Sequence, residues 1–200
     1  MLMMRPLDPI KQEKIIRAVF ILAGKHGLAG IHMNGISKEA GVGIGSLYTY
    51  FNSKEEVIQA AYASVENKLT QRLYEQFDIH LPVHDSLKKV FFNALKYRLR
   101  HYDETVFIDQ YIQSNYVQLN FAKQLHEFER ENQPLFDLLQ KGQGEDIVIK
   151  YERFIMISFI NSAVRSLSNG IIQKLIPLKK QVIEDSFNML WKGVSSERKP

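Results

Sequence analysis

The fold of this chain is decided by the stretch Gly41-Val42-Gly43-Ile44-Gly45-Ser46-Leu47-Tyr48-Thr49-Tyr50-Phe51-Asn52-Ser53-Lys54. It predicts a helix over 33–40 that ends at a glycine turn, and a second helix over 44–50 that stops before Ser53. Two short helices joined by a tight glycine turn are typical of the helix-turn-helix, whose second helix enters the major groove of DNA. The stretch therefore predicts a DNA-binding unit.

The rest of the chain is also predicted to be helical, because apolar residues recur at three- and four-residue spacing and no stretch alternates for long. Asp8-Pro9 and Ser53 with Glu56 are helix start signals. Gly142 and Gly144 indicate a turn. Further helices are expected at 9–27, 53–78, 84–101, 103–113, 121–140 with a kink at Pro134, 148–169 and 178–192. We predict an all-α fold with a small domain at 1–52 and a larger bundle at 53–200.

Composition bounds the class of protein. The 200 residues carry a net charge of +4, which permits nucleic-acid binding without establishing it. The absence of cysteine excludes disulfides and cysteine-based zinc sites and favours an intracellular protein. The start of the sequence lacks a signal-peptide pattern, and the longest strongly apolar run, 154–160, is too short to cross a bilayer. These features predict a soluble, cytoplasmic protein without membrane contact.

Residues 27–56 resemble the TetR/AcrR family of bacterial transcriptional repressors. The resemblance rests on the pattern Ala-Gly-Val-x-x-Gly-x-Leu-Tyr-x-Tyr-Phe-x-x-Lys at 40–54, preceded by Gly27 and Ile36 and followed by Glu56. It implies an all-helical homodimer. It also implies an N-terminal three-helix domain that binds double-stranded DNA and a C-terminal helical bundle for ligand binding and dimerisation. Each recognition helix would then enter one major groove of a roughly palindromic operator.

Helical spacing divides the second helix into two faces. Leu47 and Phe51 are four residues apart and are expected to pack inward. Tyr48, Thr49 and Tyr50 are expected on the opposite face, where their hydroxyls can reach phosphate oxygens. With the resemblance, the predicted DNA-binding residues are Met33, Gly43, Ile44, Gly45, Ser46, Tyr48, Thr49, Tyr50 and Lys54.

The chain departs from the family pattern at three places. Ile31 and His32 replace a Thr-Thr pair, so the helix at 33 is expected to lack its usual side-chain cap. Gly35 within that helix costs about 1 kcal/mol relative to alanine. Ile44 stands where the family often has a polar or basic residue that reaches DNA. These departures affect how an operator is read rather than the family resemblance.

The bundle is rich in aromatic residues, most of which are expected to be core. If the resemblance holds, some of them line an effector pocket, and aromatic walls suit a planar, apolar small molecule. The predicted ligand-binding residues are Tyr62, Phe92, Tyr111 and Phe154, with Gln110 as a further polar contact. The helices with 154–167 and 182–191 carry more apolar residues than one face needs, which favours pairing with a second copy over a monomer with a buried central helix.

No pattern indicates catalysis, a cofactor or a metal. The phosphate-binding glycine loop, HExxH and Gly-x-Ser-x-Gly motifs are absent, and Pro82 separates His80 from His84. We predict a ligand-released dimeric repressor and no enzyme. Two alternatives remain open at this point: a ligand-independent, chromosome-organising DNA-binding protein of the same fold, and an enzyme that has kept the fold.

Overall fold

The computed structural model describes residues 8–117 and 121–196, and for residues 121–124 it describes the backbone alone. Within these residues the chain forms nine α-helices and no strand, which confirms the predicted all-α class. The helices are α1 Pro9–His26, α2 Met33–Ala40, α3 Ile44–Tyr50, α4 Lys54–Leu73, α5 Val83–Arg100, α6 Tyr102–Ile112, α7 Phe121–Gly144, α8 Arg153–Ile172 and α9 Lys180–Val194. A short 3-10 turn, Leu28–Gly30, follows α1.

The chain divides into two compact units. The first holds α1 to α3, the part of α4 up to Lys68, and α6. Its core is formed by apolar faces of these helices, and the edge of the Phe20 ring in α1 meets Phe107 in α6 with centroids 5.2 Å apart. The N-terminal helices are therefore packed against α6 through α1.

The second unit holds the end of α4, α5, most of α7, α8 and α9. Its core contains fully buried residues from each of the later helices, among them Phe91 of α5, Leu138 of α7, Ile157 of α8 and Phe187 of α9. One fully buried polar residue inside it, Ser168, is paired: its hydroxyl accepts a hydrogen bond from Arg98 Nε at 2.7 Å. This division by contacts differs from the predicted boundary between residues 52 and 53. The assignment of DNA binding to 1–52 and of ligand binding and dimerisation to 53–200 stays a prediction.

Two predicted helix limits are wrong. α4 ends at Leu73 rather than near 78, and Gln76 in the following turn has φ 58°. α8 begins at Arg153 rather than 148, because Val148 is extended and forms an isolated antiparallel bridge with Ser195.

The predicted turn at Gly142 and Gly144 is wrong too, since both residues lie inside α7. Gly142 serves packing instead. A Cβ placed there would be 2.6 Å from Val148 Cγ2. Pro134 also lies within α7, which runs through it as one helix.

One described helix, α8, is long and apolar enough to cross a membrane by length and composition alone. It has 20 residues, an 18-residue window of mean hydropathy 1.2, and 39% of that window is buried. The strongly apolar run at 154–160 is one part of this longer helix. Core helices of globular proteins pass the same test, and α8 contributes seven buried residues to its unit.

Candidate nucleic-acid interface

The start of α1 is fixed as the sequence predicts. The Asp8 carboxylate accepts a hydrogen bond from the Ile10 N–H at 2.9 Å, and Pro9 is the first helical residue. The Asp8 N–H itself donates to the phenol oxygen of Tyr50 at 3.0 Å. This bond ties the last residue of α3 to the cap of α1. Tyr50 is half-buried, so the expectation that it shares one exposed face with Tyr48 and Thr49 is wrong, although its phenol proton remains available for donation.

The turn between α2 and α3 depends on Gly41. This residue has φ 65° and ψ 33°, a left-handed conformation that strains any residue with a Cβ. The Val42 N–H donates to the Ser37 carbonyl at 3.1 Å, and Ser37 Oγ donates back to the Val42 carbonyl at 2.6 Å. These bonds hold α3 at a defined angle to α2, as a helix-turn-helix requires.

Helix α3 has the two faces that its sequence predicts. Leu47 is fully buried and Phe51 is 4% exposed, which confirms both as core residues. Tyr48 is 51% exposed and Ile44 is 39% exposed, and they are four residues apart on one outward face. The helix carries no charged side chain, so any recognition by this face depends on shape, apolar contact and hydroxyl groups.

The other predicted contact residues on α3 differ in what they offer. Gly43, Gly45 and Thr49 are exposed, whereas Ser46 is half-buried. Thr49 Oγ1 donates to the Ser46 carbonyl at 2.6 Å, so its proton is used within the helix and its methyl group and lone pairs remain for a ligand. The Tyr48 hydroxyl has no hydrogen-bond partner among the described residues.

Helix α4 begins at the predicted capping box. Ser53 Oγ accepts a hydrogen bond from the Glu56 N–H at 3.2 Å, and Glu56 Oε2 accepts one from the Asn52 N–H at 2.6 Å. Lys54 is the first residue of the helix, and its Nζ lies 3.5 Å from the Ala29 carbonyl. That long contact leaves most of the ammonium hydrogens for other acceptors, so Lys54 keeps donors for the predicted phosphate contact.

The start of α2 shows the expected effect of His32. No side chain caps this helix, and His32 Nδ1 instead lies 3.1 Å from the Gly30 carbonyl. A Cβ on Gly35 would lie 3.4 Å from the imidazole, so the glycine gives the ring room. Met33, the predicted contact at this helix start, is half-buried.

An open groove of about 420 Å³ lies beside this helix start. Its polar lining is mostly basic or imidazole, with one carboxylate: Lys25, His26, His32, Lys38 and Glu39. Lys25 Nζ pairs with Glu39 Oε2 at 3.0 Å, which neutralises part of the charge. Sequence reasoning missed this cluster because its members come from two helices and the turn between them.

The helix-turn-helix geometry agrees with the comparison of this chain with known families. The family described as bacterial regulatory proteins of the tetR family matches residues 15–61, which cover α1 to α3 and the start of α4. Over these residues the chain is similar to the TetR family. This family consists of transcription regulators rather than enzymes, in agreement with the prediction made from the sequence.

A curated relative and solved structures extend this result. An uncharacterised HTH-type transcriptional regulator, YhgD of Bacillus subtilis strain 168, is 26% identical over 91 residues, which span 46% of this chain and 48% of that protein. The match thus covers about half the length of the relative.

The whole fold is shared with solved TetR-family structures. A TetR-family regulator from Marinobacter aquaeolei VT8 aligns with a TM-score of 0.86 at 19% identity, over 96% of this chain and all of that one. The fatty acid degradation regulator FadR from Bacillus halodurans aligns with a TM-score of 0.67 at 17% identity, over 94% of this chain and 97% of that one. The ketosteroid transcriptional regulator KstR2 of Mycobacterium tuberculosis aligns with a TM-score of 0.67 at 18% identity, over 94% of this chain and 96% of that one. At these identities the likeness shows the fold.

The predicted ligand-binding residues fall into separate ring clusters. Tyr62 stacks on Tyr111 in the first unit, with centroids 4.1 Å apart and planes 14° from parallel. In the second unit, Phe92 meets the edge of Phe91 at 5.8 Å, and Phe154 stacks on Phe128 at 6.1 Å. A common pocket for all four therefore stays a prediction.

The prediction for Gln110 needs revision. Its side-chain amide is already engaged with the backbone of the DNA-binding unit, through Leu28 N and Ala23 O. No sequence pattern signals this contact, because its partners are more than 80 residues away.

The histidines weighed as metal ligands have other surroundings. His84 Nδ1 lies 2.8 Å from Asp85 Oδ1, and its ring meets the edge of Trp191 at 5.0 Å. In the part of the chain that the structure describes, no group of three or more potential metal ligands comes together.

Proposed function

We propose that this protein is a cytoplasmic, dimeric repressor that binds a palindromic operator and is released by a small hydrophobic molecule. The observation that carries the proposal is α3. It is held by Gly41 and the Asp8–Tyr50 hydrogen bond, and it presents an uncharged, exposed face with Ile44 and Tyr48. A helix held in this way fits the major groove of B-DNA.

Selection from a random-sequence duplex library tests the proposed DNA binding. The wild-type protein is expected to enrich a two-fold symmetric site whose half-sites are about one helical turn apart, or a multiple of it. Binding without an enriched sequence would favour the ligand-independent, chromosome-organising alternative. Absence of any DNA binding would contradict the proposal.

Dimerisation is supported by apolar groups left exposed on α8 and α9. Ile155 is 61% exposed and Phe159, one turn later, is 48% exposed, while Met189 of α9 is 75% exposed. The Phe159 ring lies over Gly193, where a Cβ would be 3.1 Å from Cζ. The two helices thus form one surface, and exposed apolar patches of this kind are typical of association sites. A second copy of the same surface is the occupant that a palindromic operator requires.

An apolar effector is supported by the tyrosine stack and by the named relatives. Tyr62 and Tyr111 present parallel rings, and the Tyr62 hydroxyl donates to Glu66 Oε1 at 2.6 Å. One protein of the same fold is named as a fatty acid degradation regulator, and another is named as a ketosteroid transcriptional regulator. We therefore propose flat or extended hydrophobic molecules with a few polar groups as the effector class.

A buried phenol in the second unit offers a further polar group for an effector. The Tyr74 hydroxyl is buried and has no hydrogen-bond partner within the described ranges. Burial raises the pKa of Tyr74 far above its ordinary value, so the group is neutral and keeps its proton at any physiological pH. The backbone of Leu135 lies close enough to influence this phenol, and a water or a ligand oxygen is a further possible partner.

The effector proposal predicts release of DNA by a hydrophobic compound. Fatty acyl and steroid ketone compounds are screened for release of the selected duplex, and an active one should weaken binding at least about fivefold. Tyr62→Ala should change the response to that compound more than it changes affinity for DNA. Tyr102→Ala, which removes a 49% exposed ring from α6, is the matched control and should leave the response unaltered. A protein that no compound of these classes releases would count against the effector proposal.

The phosphate contacts predict separate effects for Lys54 and Tyr48. Lys54→Ala should lower the slope of log affinity against log salt by about one unit, because one phosphate contact is lost. Tyr48→Phe should lower affinity less than Tyr48→Ala, since the ring remains. Fluorescence anisotropy with the selected duplex across a salt series measures both effects. Lys150→Ala and Tyr151→Ala, at exposed positions far along the chain, are the controls. Unchanged affinity in both Lys54→Ala and Tyr48→Ala would contradict the placement of α3.

A further inference from the structure

The C-terminal end of α1 is completed by a residue from another part of the chain. Gly27 has φ 70° and its N–H donates to the Ala23 carbonyl at 3.0 Å. The same carbonyl accepts a second hydrogen bond from Gln110 Nε2 at 3.1 Å. Gln110 Oε1 accepts from the Leu28 N–H at 2.9 Å. One amide side chain therefore satisfies backbone groups on both sides of the glycine turn.

Only an amide of this length fits that arrangement. It provides a donor and an acceptor on one planar group, whereas a carboxylate only accepts and an ammonium only donates. Gly27 is favoured by its φ of 70° rather than by space, since a Cβ there would be in ordinary van der Waals contact, 3.8 Å from Gln110 Oε1. Leu28, whose N–H is bound, is buried at the start of the 3-10 turn, so an unsatisfied N–H there would be costly.

Gln110 belongs to a face of α6 that lies along the second half of α1. Phe107, one turn earlier, is fully buried and meets the edge of Phe20 at 5.2 Å. One turn earlier again, Asp103 Oδ1 is 3.9 Å from the position of a Cβ on Gly24. Because these residues are spaced by three and four, α6 contacts α1 along its length and the Gln110 amide closes its C-terminal end.

We propose that Gln110 is a positioning residue for DNA binding. By joining the end of α1 to α6, it fixes the turn that leads into α2, and α2 in turn orients α3. Operator affinity then depends on a residue that touches no DNA. A displacement of α6 either carries the helix-turn-helix with it or breaks these two hydrogen bonds. The inference rests on the proposed DNA-binding function.

The test compares Gln110→Met, Gln110→Glu and the matched control Gln113→Met. Methionine keeps the length and loses both hydrogen bonds, while glutamate keeps the acceptor and loses the donor. Gln113 lies just after the end of α6 and is exposed, and its side chain has no hydrogen bond within the described residues. Affinity for the duplex selected by the wild-type protein is measured across salt. Titration at high DNA concentration gives the fraction of active protein.

We expect Gln110→Met to bind about tenfold more weakly, with an unchanged salt slope because no phosphate contact is lost. The DNA affinity of Gln110→Glu should lie between the affinities of Gln110→Met and wild type. The Leu28 amide should exchange its hydrogen faster in Gln110→Met, and Gln113→Met should match wild type in every measurement.

Three results overturn the inference. One is a Gln110→Met affinity within twofold of wild type. Another is a loss of DNA binding in Gln110→Met that the fraction of inactive protein fully explains. The third applies if Gln110→Met fails to fold. The inference is then tested with Gln110→Glu, and wild-type DNA affinity in that variant overturns it. Failure of the wild-type protein to select any duplex would instead contradict the proposed function, so the two outcomes are distinguishable.

Discussion

We expect Ile155→Arg to convert the protein to a monomer and to lower affinity for the full operator about a hundredfold or more. Ile155 is 61% exposed on α8, so arginine is tolerated by the isolated chain. In a two-fold interface the substitution would bury two like charges without partners, which costs several kcal/mol. A monomer also loses the gain from binding two linked half-sites, which amounts to about 10²–10⁴ in affinity.

Sedimentation at micromolar concentration measures the first effect. Wild type should give twice the chain mass of 23.2 kDa and Ile155→Arg should give the single mass. Leu81→Arg is the matched control, because Leu81 is 47% exposed and lies outside α8 and α9. The variant should bind a single half-site as well as wild type does, which separates loss of dimerisation from damage to α3. A wild-type monomer would refute the dimer, and a dimeric Ile155→Arg would place the interface elsewhere.

The helix-turn-helix could be predicted from the sequence because its signals are local. Gly41 ends α2, and Ser53 with Glu56 starts α4, so the residues between them define α3 at 44–50. Leu47 and Phe51 are buried as their four-residue spacing predicts. Each of these features depends on residues within one or two turns of each other, where steric and hydrogen-bonding rules decide the conformation.

The remaining differences come from contacts between distant residues. Val148 follows a glycine-containing segment that reads as a turn, yet α7 continues to Gly144 and Val148 pairs with Ser195, 47 positions later. The role of Gln110 is of the same kind, since its partners are in α1 and in the turn that follows it. Periodicity within one helix identifies its buried face but does not identify which helix covers that face. For the same reason the aromatic residues of the bundle could be recognised as core without their ring partners being predicted.

Gly45 is expected to affect stability and DNA binding in opposite directions. It lies inside α3, is exposed, and a Cβ placed there meets no atom within 4 Å. Gly45→Ala should therefore raise the free energy of unfolding by up to about 1 kcal/mol, because glycine is the poorer helix former. If α3 approaches DNA closely at this position, the added group enters the space of the groove. We expect about tenfold weaker binding for Gly45→Ala, and about a hundredfold for Gly45→Leu, since a larger group forces the helix outward and withdraws several contacts at once.

Chemical denaturation and anisotropy with the selected duplex measure the two effects on the same samples. Gly144→Ala is the matched control: this glycine also lies in a helix with open space at its Cβ position, but at the end of α7. It should gain stability without any change in DNA affinity. A structural glycine required for the turn would instead lose stability in Gly45→Ala. If Gly45→Leu is folded and binds the duplex as tightly as wild type, another part of α3 or another helix faces the DNA. Weaker binding by a more stable protein is the result that only close approach of the α3 backbone to DNA explains.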